Sequence, residues 1–102
     1  AGAAATLAAD LQLQEPDQVV GVEGTSVLLE GFAYGNPTPD LAWTRSDVDG
    51  NPLPIPAKAT YEQWNRFINI SNVQREDGGY YTVTATNTAG PPDSKRTLLV
   101  VA

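Results

Sequence analysis

The chain contains neither cysteine nor histidine. Without thiols there is no disulfide and no thiol redox chemistry, and without imidazole there is no Ser-His or Cys-His nucleophile pair. Zinc sites built from the usual nitrogen and sulfur ligands are excluded with them. Positive charge is also scarce, with six Lys and Arg against twelve Asp and Glu and a net charge of −6 at pH 7. That balance repels a phosphate backbone and argues against nucleic acid as a partner. Nowhere do about eighteen apolar residues follow one another, so direct membrane insertion through an apolar helix is not expected. The opening Ala1-Gly2-Ala3-Ala4-Ala5-Thr6-Leu7-Ala8-Ala9 has neither the basic start nor the solid apolar run of a secretion signal. Residues 1–10 therefore read as a linker or cloning remnant and 11–102 as a single domain. A first residue other than Met reads as a sign of excision from a longer chain.

What is present suits one β domain. The 102 residues are 41% apolar and 18% charged, enough to bury a core. Short runs alternate with a period of two and are broken by turn residues every ten or so positions, the signal of an antiparallel all-β sandwich or barrel. Val27, Leu29, Gly31 and Ala33 share one face of a strand, with Leu28, Glu30 and Phe32 on the other. Leu41 with Trp43, Ile68 with Ile70, and Tyr81 with Val83 and Ala85 continue the buried series. Gly35-Asn36-Pro37-Thr38-Pro39 and Thr86-Asn87-Thr88-Ala89-Gly90 read as turns, and Val48-Asp49-Gly50-Asn51 as a hairpin. Pro52, Pro54 and Pro56 confine their stretch to a loop or sheet edge. A single helical turn is expected within Val73 to Asp77.

Candidate sites are few. Asn69-Ile70-Ser71 is a glycosylation sequon whose Asn69 falls on the outward phase of a strand. Asp47, Asp49 and Asn51 supply oxygen ligands of the kind calcium takes, but no distal bidentate Glu follows them, and a solvated hairpin turn accounts for them better. Glu76 and Asp77 are adjacent carboxylates of the kind an acid–base pair uses, but no catalytic residue is named and no cofactor is implied. Alternation places Leu28, Phe32 and Phe67 on one outer face, and Leu99, Val101, Ala42 and Thr44 on the other. Trp64 and Tyr61 follow the prolines in a loop or edge region, where Trp64 reads as an edge anchor of the core. Leu28, Phe32, Phe67 and Trp64 are the candidate contact surface.

Three stretches in order resemble the immunoglobulin superfamily, specifically its intermediate-set (I-set) domains. They are Glu23-Gly24-Thr25-Ser26-Val27-Leu28-Leu29, then Gly35-Asn36-Pro37-Thr38-Pro39 leading to Leu41-Ala42-Trp43, then Asp77-Gly78-Gly79-Tyr80-Tyr81-Thr82-Val83-Thr84-Ala85-Thr86-Asn87. The resemblance covers about residues 15–101. It implies an immunoglobulin-like β-sandwich of Greek-key topology, with Leu29, Trp43, Ile70 and Tyr81 in the core and Tyr81 as the tyrosine corner. It also places the family's inter-sheet disulfide at Gly31 and Val83, so the chain resembles a domain whose bridge is gone. Closing that loop of about fifty residues would contribute about 4 kcal/mol in the chain-entropy model. Trp43 is then expected to pack on Val83 and into the space left at Gly31, with Phe32 or Tyr34 available to tilt inward.

Functionally, the resemblance implies a non-catalytic interaction or spacer module of a multidomain cell-adhesion or receptor protein at the cell surface. Its partners would be a protein, homophilic or heterophilic, and neighbouring immunoglobulin-like domains. An intracellular sarcomeric or cytoskeletal, titin-like module is the alternative, favoured by the missing cysteines. A secreted bacterial immunoglobulin-like spacer is a third reading.

Overall fold

Period-two alternation becomes two stacked sheets in a computed structural model that describes residues 5–102. Among the described residues there are nine strands: β1 (Leu7–Leu13), β2 (Gln18–Gly21), β3 (Val27–Asn36), β4 (Asp40–Ser46), β5 (Pro52–Leu53), β6 (Thr60–Glu62), β7 (Phe67–Ile70), β8 (Gly79–Thr86) and β9 (Asp93–Val101). A single 3-10 turn at Arg75–Asp77 falls where a helical turn was expected. The first sheet runs β1-β3-β7-β6 and the second β2-β9-β8-β4-β5. All pairs are antiparallel except β2 with β9, which is parallel. Pro52 opens the two-residue β5 at the edge of its sheet, where its missing N–H costs no ladder bond.

The core lies between the sheets. Leu29, Ile68 and Ile70 from the first meet Tyr81, Val83 and Ala85 from the second, all fully buried. Trp43 is 6% exposed, its indole N–H donating to the Asn65 carbonyl at 2.7 Å. The last strand takes the opposite phase to the one expected. Leu99 is 1% exposed and Val101 packs against the core, while Val100 faces out. Leu98 to Val101 is an unbroken apolar run, so alternation within it carries no phase. Pairing decides instead, since Thr97 stands opposite the buried Tyr81 and Gly79 opposite Leu99. Ala42 and Thr44 are exposed as expected.

The space at Gly31 is already filled. A Cβ built there would lie 2.9 Å from Val83 Cγ1, so the valine methyls occupy the room a side chain would need. Phe32 and Tyr34 do not turn inward. They stay on the outer face, Tyr34 60% exposed, with the two rings edge to face at 5.4 Å. A second difference concerns the chain's start. Strand β1 begins at Leu7, inside the stretch expected to be linker, because Leu7 pairs with Asn36 and Asp10 with Tyr34. Of the rest of that expectation, residues 5 and 6 precede the strand and residues 1–4 lie outside the described residues.

Polar locks fix the turns. Tyr81 donates its hydroxyl hydrogen to the Asp77 carbonyl at 2.5 Å, and burial pushes its phenol up to about 12. The buried Asp77 carboxylate takes Lys58 Nζ at 2.6 Å and the Gln74 N–H at 2.7 Å. Burial alone would raise its pKa, but these partners outweigh burial and hold it below the ordinary aspartate value. In the β4–β5 hairpin the Asp47 carboxylate accepts from the Asp49 and Asn51 N–H groups and from Asn51 Nδ2, which together hold its pKa low. The acidic cluster organises its own turn, and Gly50 at φ +87° completes it.

Candidate interaction surface

The turn between β6 and β7 carries three successive residues in the left-handed region: Gln63 at φ 50°, Trp64 at φ 54° and Asn65 at φ 66°. Each such L-residue costs roughly 1–2 kcal/mol relative to ordinary helix or strand geometry. Bonds on both sides of Asn65 offset this cost. Its carbonyl accepts the Trp43 indole N–H, and its Nδ2 donates to the Leu41 carbonyl at 3.0 Å. Arg66 N–H closes the turn on the Gln63 carbonyl at 3.1 Å. Trp64, held at the apex, is 94% exposed. It is not an edge anchor of the core. Trp43 fills that role, and the backbone beneath Trp64 is what the core holds.

Leu28, Phe32 and Phe67 do share the outer face of the first sheet, set there by the register Leu28↔Asn69 and Glu30↔Phe67. Leu28 is exposed, while Phe32 and Phe67 are half-buried. Their cover is Arg66, whose guanidinium lies 5.1 Å from the Phe32 ring centroid and 5.5 Å from that of Phe67. The same guanidinium pairs with Glu30 at 2.6 Å. Such a stack is worth about 0.5–1 kcal/mol at an exposed site and leaves the rings partly accessible. Sequence reasoning named the two phenylalanines but missed Arg66 and read Tyr34 as able to tilt inward. Tyr34 was within reach, since it continues the phase of Leu28 and Phe32 by two residues.

Asn69, the sequon residue, is half-buried on this same face, opposite Leu28 on one side and Thr60 on the other. Glu15, in the link from β1 to β2, accepts the Glu30 N–H at 2.8 Å through Oε1, while Oε2 is buried without a partner. Burial, with a smaller push from the Glu30 charge, raises the Glu15 pKa above its usual value. Tyr61 is exposed on β6. The first sheet thus carries a bonded turn with one exposed indole and an aromatic face partly covered by an arginine.

The family model of the immunoglobulin I-set domain matches residues 12–100. Human contactin-6 is 37% identical over 92 residues, which are 90% of this chain and 9% of that protein. The chain thus spans about a tenth of the length of the curated relatives it matches. Among solved structures, extracellular domains 3–5 of Drosophila OTK superpose with a TM-score of 0.76 at 25% identity, covering 95% of this chain and 32% of that one. The titin M3 domain does so with a TM-score of 0.70 at 33% identity, covering 94% of this chain and 98% of that one.

Proposed function

This chain belongs to the immunoglobulin I-set family, and we propose that it is a non-catalytic protein-binding and spacer module of a multidomain cell-adhesion or receptor protein, working outside the cell. Trp64 carries the reading. An indole 94% exposed, on a left-handed turn bonded to the core from beneath, gives nothing to stability and everything to contact. The partner surface would close over Trp64 with Leu28, Phe32 and Phe67 as its flank, either on a second copy of the chain or on a different protein. Likeness to contactin-6 and to extracellular domains of OTK supports the compartment. Beads coated with the chain should aggregate with one another or adhere to cells, and beads coated with Trp64→Ala should do neither. Equal behaviour of the two would remove Trp64 as the contact.

The sequon supplies a second line. Expression through a secretory pathway should add a glycan to Asn69, seen as a mass that falls on glycosidase treatment; an unshifted mass removes that support. Two observations favour an intracellular titin-like module instead. The core is closed without cysteine, and the chain is 33% identical to titin M3. On that reading Asn69 stays unmodified and the module acts as one bead in a load-bearing row.

A further inference from the structure

We infer that the outer face of the second sheet holds a binding site for an anionic saccharide. The inference goes beyond the contact surface above and is independent of it, since its residues lie on the opposite sheet. Thr44, Thr82 and Arg96 stand abreast across β4, β8 and β9, and Ala42, Thr84 and Ser94 form the next row. Between them lies a shallow depression of about 260 Å³ lined by Thr82, Ser94, Lys95 and Arg96. It is smaller than the ~300–1,000 Å³ of a drug-sized pocket and suits one sugar ring.

The cation on this face, Arg96, is free; Lys95, also in the lining, takes the opposite phase, across from the buried Val83. Among the described residues the ion pairs are Lys58 with Asp77 and Arg66 with Glu30, and Arg45 is spent on the carbonyls of Pro54, Glu76 and Gly78. Lys95 and Arg96 enter no ion pair. The carboxylate of β9 itself, on Asp93, is taken by the Leu11 N–H at 2.8 Å. Arg96 is also placed in advance, its guanidinium stacked 3.8 Å over the Tyr80 ring centroid. A stacked guanidinium keeps its edge N–H groups for an incoming anion, and the fork matches a carboxylate or sulfate with two bonds.

The lining selects the class of ligand. Thr82 and Ser94 bring hydroxyls that both donate and accept, which is what sugar hydroxyls require. Thr84 and Ser94 already share a bond of 2.7 Å, so the hydroxyl row is held in place. An extended acidic peptide would also need apolar pockets for alternate side chains, and none of the four lining residues provides one. A free, stacked guanidinium on a chain of net charge −6 marks this part of the surface, and the carboxylate of the same face, on Asp40, lies one row beyond Ala42.

The test is a titration of the isotope-labelled chain, followed by NMR, with sialyllactose for the carboxylate, a sulfated uronic disaccharide for the sulfate, lactose as the neutral control and a tetraglutamate peptide. Shifts should cluster at Thr82, Ser94, Lys95 and Arg96 for one or both acidic sugars and not for lactose, and which sugar binds identifies the anion. Arg96→Gln should weaken binding about tenfold, Arg96→Lys several-fold, and Arg75→Gln, a basic residue elsewhere, not at all. Scattered shifts, equal loss in Arg75→Gln, tighter binding of tetraglutamate, or no binding by either acidic sugar would each overturn the proposal.

Discussion

Gly31 and Val83 show how one residue pair replaces a covalent link. The valine methyls stand where a Gly31 side chain would go, 2.9 Å from an ideal Cβ. Gly31→Ala should therefore destabilise by about 2 kcal/mol through overpacking, read as a fall in melting temperature, and adding Val83→Ala should return part of the loss. Gly31→Cys with Val83→Cys brings the two Cβ positions to about 3.5 Å, within the span a disulfide accepts. Under oxidising conditions the free thiols should disappear and the melting temperature should rise above that of the same variant reduced. That these two positions face each other was legible through the resemblance to immunoglobulin domains, which implies an inter-sheet disulfide there. The occupant of the gap was not, because alternation reports which face a side chain takes and nothing of how far it reaches.

At the scale of the element, the β6–β7 turn sets stability against contact. Asn tolerates the left-handed region, and Trp64 buries almost nothing, so Trp64→Asn should stabilise the chain by about 0.5–1 kcal/mol in a denaturant melt while abolishing bead adhesion. A neutral or destabilising result would mean that the indole packs on something. Sequence read Trp64 as an edge anchor of the core as well as a candidate contact, and no glycine marked the turn as left-handed; Asn65 was the one tolerant residue there. Strand β9 misled for a different reason, since four consecutive apolar residues have no polar face to reveal the phase. Strand β8 was legible because Thr82, Thr84 and Thr86 alternate with Tyr81, Val83 and Ala85, while β3 and β7 showed their phase through Glu30 and Asn69. The first sheet adds a constraint of its own. Asn69 lies beside Leu28 on the face proposed for contact, so a glycan there would cover Leu28 and leave Trp64 as the accessible part of that surface.

For the molecule as a whole, pH acts through two opposed groups of carboxylates. The Glu15 pKa is raised above its ordinary 4.5, so its share of stability is full below that value and is lost as pH rises through the raised one. The Asp77 and Asp47 pKa values are lowered below 3.8, so their share is present above that value and is lost as pH falls through the lowered one. The melting temperature should thus rise on acidification from neutrality and fall once Asp77 is protonated. Glu15→Gln should flatten the upper limb alone; an unchanged upper limb would show that Glu15 is solvated.

A sandwich sealed by two methyl groups also has no oxidative step in its maturation. Every contact that holds the layers together forms and breaks reversibly, so refolding depends on the chain alone, without an oxidant or an isomerase for bridges. Such a module keeps the same core in a reducing compartment and in an oxidising one.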